Sequence, residues 1–304
     1  MTFTPARALA LVFAAVGIVV LAGTARDSRS GALRLERPGA LAVARDGTVY
    51  VADGTRVLAV PPSGGLRVAL GGLRDAAGLA VAPDGTLYVA DAGHGRVLAL
   101  SPAGHVRRVV ARGRLLWPAG LAFDPLGRLV VADPGRSQVV RVEADGSLTH
   151  LVGTPSYAGL YGLGGPAAQA SADGAEALAY DGHGNLYLAG FNTKSLLRVT
   201  PAGILEPAGA AYPSAGGMTT LPDGRVLATD RDAVVRLTPH GPLPFEVFDR
   251  PVAGIEGFVA TGIAAGPDGT LYLDTWPTGY SDGTATALVA LRPDGSTRVL
   301  WSSR

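Results

Sequence analysis

The sequence predicts an all-β fold, a six-bladed β-propeller of four-stranded antiparallel blades, and three observations predict it. One unit is written six times, each copy reads as four short strands, and six copies after a leader leave about 46 residues each, the size of a propeller blade. The copies can be laid side by side. Gly78 to Gly104 reads GLAVAPDGTLYVADAGHGRVLALSPAG and Gly120 to Gly146 reads GLAFDPLGRLVVADPGRSQVVRVEADG. Ala177 to Gly203 reads ALAYDGHGNLYLAGFNTKSLLRVTPAG and Gly217 to Gly241 reads GMTTLPDGRVLATDRDAVVRLTPHG, with Ala40 to Gly65 and Gly262 to Gly295 completing the set.

The elements follow in chain order. Ala8 to Ala25 carries no charge, follows a start holding one Arg, and ends on the small residues Gly23 and Ala25, where a signal peptidase would cut. Its length also suits a bilayer span. The expected N-terminal element is therefore a hydrophobic helix over 1–30, a signal peptide or a membrane anchor, with the propeller over 31–304 exported to the cell envelope or beyond. Within each copy an apolar run leads to an Asp-Gly-type turn such as Asp46-Gly47, Asp84-Gly85, Asp223-Gly224 or Asp268-Gly269. Glycine takes positive φ there without steric cost. The second run, Leu87-Tyr88-Val89-Ala90 in one copy, is apolar on both faces, as a strand packed between two neighbouring sheets must be. The third run ends at a Pro-x-Gly-type turn. The fourth carries cations, among them Arg67, Arg107, Arg108 and Arg298, which suit an outer edge. Thr297 to Trp301 supplies the last outer strand, while Gly31 to Glu36 either pairs beside it or serves as linker.

Composition narrows the chemistry. The chain has 304 residues, 47% of them apolar, enough for a large core, and no cysteine, which excludes disulfides, thiolate metal sites, cysteine catalysis and a lipid-modified cysteine anchor. Lys and Arg number 26 against 25 Asp and Glu, and Lys194 is the only lysine, a coding bias and not a basic patch. So balanced a charge argues against nucleic acid as a partner.

These units resemble the NHL repeat family: an apolar strand, an Asp-Gly turn, a strand of the "LYVAD" type and a third strand ending at Pro-x-Gly. The resemblance covers about Ala40 to Trp301. Leu151 to Ala170, LVGTPSYAGLYGLGGPAAQA, is similar to the glycine-rich inter-blade loop of bacterial NHL proteins, with its GGPA and a downstream Ala, though Leu163 stands where that loop usually has Asp. The resemblance implies an extracellular sensor or binding propeller, and less often a lyase.

In this topology the second-to-third turns and the fourth-to-first connections share one face. The long connections, Gly153 to Glu176, Pro242 to Thr261 and the insertion Thr275 to Thr286, all fall there, and long loops on a compact scaffold are where binding concentrates. The expected binding residues on that long-loop face are Asp91, His94, Trp117, Arg136, Tyr157, Tyr161, Asn192, Arg231, Glu256, Trp276, Tyr280 and Asp282. The aspartates closing the second strands, Asp53, Asp91, Asp133, Asp230 and Asp274, with Gly190 in the fourth copy, read as architecture, each carboxylate accepting amide bonds from the turn that follows.

No catalytic constellation is expected: no Gly-x-Ser-x-Gly elbow, no phosphate loop, and no three histidines on one face. The gluconolactonase-like propellers, similar in strand pattern, bind a divalent ion at the channel mouth through a Glu-x-Pro segment, amides before strand-opening glycines and an Asp. Glu36-Arg37-Pro38 matches the first, but Ala77, Ala119, Gly216 and Thr261 stand where the amides would be. Glu36, Asp75 and Glu176 are the weak metal candidates; the expected cofactor is none. The function expected is a ligand- or protein-binding sensor or scaffold module acting through the long-loop face on a protein or small polar ligand. The alternative is a metal-assisted lactone hydrolase or lyase.

Overall fold

The structure, a computed structural model, describes residues 33–153, 160–171, 174–190, 196–209, 215–230, 233–247, 258–277 and 287–302. They form six antiparallel sheets of four strands, each sheet taking four consecutive strands of the chain. The innermost, first strands are Pro38–Val43, Ala76–Val81, Leu121–Phe123, Ala175–Tyr180, Ala215–Thr220 and Phe258–Ala265. They surround the axis of a six-bladed propeller, as the sixfold repeat predicts.

The first turn of every blade is built alike. In blade one Gly47 N–H donates to Ala44 O and Ala44 N–H to Thr48 O, both at 2.9 Å, with Gly47 at φ 82°. The Asp46 carboxylate accepts the Thr48 amide at 2.9 Å. This backbone pattern recurs at Ala82, Asp124, Asp181, Leu221 and Gly266, which is why Gly recurs in every copy.

Second and third strands are buried on both faces; Leu129–Asp133 has no exposed position. Their side chains fill six clusters, one at each junction between neighbouring blades. Each fully buried Val or Leu adds roughly 1.5–3 kcal/mol. The fourth strand of blade two faces solvent: Val106, Arg107 and Arg108 are all exposed. Arg107 lies 5.9 Å from the Tyr88 ring centroid and donates to its hydroxyl at 3.2 Å.

The ring closes without mixing strands. Thr297–Ser302 pairs with Ala287–Leu291 as expected, but no strand forms between Leu33 and Arg37. Leu33 and Leu35 instead pack with Leu300 and Trp301 in the cluster joining blade six to blade one. Near the axis a Cβ on Gly262 would lie 2.2 Å from Gly39 O, so the two inner strands meet backbone to backbone.

The segment read as a binding loop after blade three is largely architectural. Gly164 N–H donates to Leu205 O at 2.7 Å, Leu205 N–H to Gly165 O at 3.0 Å, and Ala167 N–H to Gly203 O at 2.8 Å. The Gly-Gly-Pro-Ala stretch thus runs along the outer strand of blade four, Leu205–Pro207, and covers its edge. Ala167 and Ala170 have no exposed surface and sit in the cluster between blades three and four. Two other predicted connections are shorter than expected. Pro242 to Val247 belongs to the outer strand Gly241–Val247, and Thr275 to Pro277 to the second strand Leu271–Pro277.

The expected signal or anchor over 1–30 lies outside the described residues. Among the described residues no helix is long and apolar enough to cross a membrane.

Candidate functional site

The strand-ending aspartates are clamps, though not on the turn that follows them. In blades one to three each carboxylate reaches back to the segment entering its own blade. Asp53 accepts the amides of Glu36 and Arg37 at 2.7 and 2.6 Å. Asp91 accepts those of Arg74 and Asp75 at 3.0 and 3.4 Å. Asp133 accepts those of Leu116 and Trp117 at 3.1 and 2.8 Å. The third strand supplies a further donor in each blade: Arg56 Nε to Asp53 at 3.0 Å, Arg96 Nε to Asp91 at 2.7 Å and Gln138 Nε2 to Asp133 at 3.0 Å. Just before each pair of amides a leucine, Leu35, Leu73 or Leu115, is buried. The entering segment is therefore a repeated plug and clamp, an element the sequence reading did not find; its signal is the Leu that precedes Glu36, Arg74 and Leu116.

The last three blades depart from this. A Cβ on Gly190 would lie 1.8 Å from Gly174 O, so blade four replaces the carboxylate with direct backbone contact. In blade five Thr229 Oγ1 accepts the Gly217 amide at 2.9 Å. In blade six Asp274 is not at a strand end: it accepts the amides of Thr261, at 3.2 Å, and Gly262, and the Thr261 hydroxyl at 2.6 Å. Asp274 grips the inner strand, where Asp53, Asp91 and Asp133 grip the entry.

Four of the predicted binding residues, Asp91, His94, Trp117 and Arg136, belong to these clamps. His94 Nδ1 sits 2.8 Å from Asp91 Oδ2 in the short turn Ala92–His94. Burial alone would raise the Asp91 pKa, but the Arg74 amide, His94, Arg96 and the Asp75 amide outweigh it and hold it below its ordinary value. Arg136 Nη2 donates to Gly113 O at 3.2 Å, and its Nε is 4.0 Å from Asp133. Trp117 and Leu116 lie over the glycine of the Pro134–Arg136 turn: a Cβ on Gly135 would meet Trp117 Cβ at 2.9 Å and Leu116 Cγ at 3.0 Å. Both remain open to solvent, Leu116 at 57% and Trp117 at 48%. Tyr161 bridges to Ser171 within the inter-blade segment and is 37% exposed. Trp276 falls in a strand, opposite Val259. Tyr157, Asn192, Arg231, Glu256, Tyr280 and Asp282 lie outside the described residues.

The weak metal candidates do not converge. Glu36, expected from its Glu-x-Pro spacing, is an entry-segment residue, 74% exposed and 3.1 Å from Arg56 Nη2. Asp75 occupies the entry segment of blade two; burial raises its pKa, Arg37 opposes this, and Asp91 adds to it. Among the described residues no group of three or more His, Asp or Glu could hold a metal ion.

Glu176 is the exception in kind. Aligning the inner strands puts Gly39, Ala77, Ala119, Glu176, Gly216 and Thr261 in one ring, at the end facing the long loops. Antiparallel register breaks beside this position in blades one, two, four, five and six, and such bulges re-aim a side chain. The ring borders an axial cavity of about 250 Å³. Farther along the strands, the cavity is lined by Leu41, Leu79, Leu121, Leu178, Met218 and Ile263. Among the described residues Glu176 is the one ionisable side chain in this lining; it is exposed at the channel mouth, and partial desolvation there raises its pKa.

The NHL repeat family model matches residues 73–100, the plug, clamp and first three strands of blade two. No curated protein matches the chain in sequence. Solved structures match in fold. A streptogramin B lyase is 15% identical, over 86% of this chain and 82% of that one, with a TM-score of 0.61. A putative gluconolactonase is 20% identical, over 81% and 89%, with a TM-score of 0.60. The nidogen/laminin complex contains a chain 16% identical, over 84% and 92%, with a TM-score of 0.61. At such identities the likeness is one of fold. The chain is a six-bladed β-propeller with an NHL repeat in its second blade.

Proposed function

We propose that the chain is an exported binding module, a sensor or scaffold that engages a protein or small polar ligand through its long-loop face, without catalysis. One observation carries the reading. The carboxylates ending the second strands of blades one to three, Asp53, Asp91 and Asp133, are engaged by backbone amides and by Arg or Gln side chains, and what Asp133 holds in place is an exposed apolar pair, Leu116 and Trp117. Fixed carboxylates of this kind do no acid–base work, whereas a rigidly seated aromatic is what interface anchors are made of. The expected hydrophobic leader, Ala8 to Ala25, supports export. The fold is also compatible with assembly, since one structural neighbour comes from a protein complex.

The test is capture from envelope extracts with the full chain as bait, comparing it with Leu116→Ser and Trp117→Ala. The expected result is loss of the captured partner, an affinity drop of at least about tenfold for a central aromatic anchor. Retention of every partner by both variants removes this face from consideration. The second reading, a lactone hydrolase or lyase, draws on the names of two structural neighbours, and turnover in a lactone panel would establish it.

A further inference from the structure

We infer that the axial channel is a binding site for a protonated amine, held by Glu176, the one charged side chain that the described residues contribute to its wall. The inference goes beyond the face reading above and stands whether or not Leu116 and Trp117 capture a partner.

The sixfold repeat supplies the first ground. At the ring position five blades place Gly39, Ala77, Ala119, Gly216 and Thr261, all small and uncharged, and one blade places a carboxylate. Architecture explains what the blades share. Glycines in and beside this ring let backbones touch: a Cβ on Gly78 would lie 1.9 Å from Ala119 O, and one on Gly120 would lie 2.3 Å from Glu176 O. That packing uses the backbone of Glu176 and asks nothing of its side chain. Among the described residues the carboxylate has no hydrogen-bond or ion-pair partner, unlike Asp53, Asp91, Asp133 and Asp274, so no structural bond accounts for it.

The second ground is the chemistry of the cavity. Its volume, about 250 Å³, suits a ligand of a few heavy atoms. A hard divalent cation needs six to eight oxygen ligands, and among the described residues Glu176 is the only carboxylate in the lining. A protonated amine needs only one counter-charge. Its short aliphatic body matches the Leu, Met and Ile row deeper in the channel, where a more hydrated ion would lose its water without replacement. Two sources share this chemistry, a free alkylamine and a lysine side chain presented by a partner.

Isothermal titration calorimetry on the full chain in mild detergent separates the outcomes. The probes are n-butylammonium chloride, N-acetyl-lysine methylamide, n-butanol and calcium chloride. The expected result is saturable binding of n-butylammonium at one per chain, none of n-butanol, and at least tenfold weaker amine binding to Glu176→Gln. Binding of the lysine compound as well assigns the site to a partner's lysine; its exclusion assigns it to free amines. Glu176→Gln is expected to melt no lower than the native chain, since it removes a partly desolvated charge. Ala77→Lys gives a test that does not depend on that variant folding: it brings an ammonium into the same ring and is expected to abolish n-butylammonium binding. Undiminished amine binding to either variant, no saturable amine binding at all, or a chelator-sensitive calcium site that displaces the amine overturns the inference.

Discussion

Replacing Asp133 tests whether the aspartate ring is architecture. Asp133 is fully buried and accepts the Leu116 and Trp117 amides and the Gln138 side chain. Asp133→Ala leaves two backbone donors without their acceptor, and each buried unsatisfied group costs about 1–3 kcal/mol. Taking about 2 kcal/mol for each gives about 4 kcal/mol. At about 2 °C per kcal/mol for a chain of this size, Tm falls by about 8 °C. Asp133→Asn keeps the shape and one acceptor but loses the charge, so about half that loss is expected. Thermal melts followed by circular dichroism measure the shift, and Trp117 fluorescence, moving to the red as its seat loosens, reports the local event. The sign matters more than the size. A carboxylate kept for chemistry strains its surroundings, and removing it tends to stabilise the protein. If Asp133→Asn melts at or above the native temperature, the clamp reading is refuted and the carboxylate belongs to a working site.

Two further outcomes follow from the same geometry. Gly78→Ala drives a methyl to 1.9 Å from Ala119 O, whereas Gly39→Ala, in the neighbouring blade, meets nothing within 4 Å. Urea unfolding is expected to show a loss of about 3 kcal/mol for the first and under about 0.5 kcal/mol for the second, and equal losses would mean that blades do not touch through backbone at the axis. Because the folded-state pKa of Asp91 is depressed, its stabilising contribution is complete above its ordinary value of 3.8 and disappears as pH falls through the depressed one. The stability difference between the native chain and Asp91→Asn should therefore hold constant from pH 7 to about 5 and shrink only below 3.8; shrinkage already between pH 7 and 5 contradicts this.

The repeat made the fold legible because glycines at positive φ, doubly apolar second strands and cationic outer strands each follow from the place of a strand in a blade. Side-chain roles were less legible, because a repeated letter need not repeat its job. Asp274 resembles Asp91 in the sequence, yet it sits one residue earlier on the second strand and holds Gly262 in place of an entry segment. Glu36-Arg37-Pro38 matches a metal motif, yet its backbone is the same clamped entry as Arg74-Asp75. The stretch around Gly164 to Ala170 belongs to a long connection rich in Gly and Ala, and only its pairing with Leu205 shows that it covers an edge. Glu176 was visible as a carboxylate near the channel mouth, while its isolation is a property of six strands meeting and not of any local pattern.

The seam between blade six and blade one has a topological consequence. Because each sheet takes four consecutive strands, and among the described residues the last junction is sealed by side-chain packing and by the close approach of Gly262 to Gly39 with no strand shared across it, that joint is of the same sort as the other five. The starting point of the polypeptide is then arbitrary with respect to the ring. A circularly permuted gene, joined across the old ends and opened at another fourth-to-first connection, encodes the same object, and evolution could rotate the blades past their terminus without breaking a single sheet.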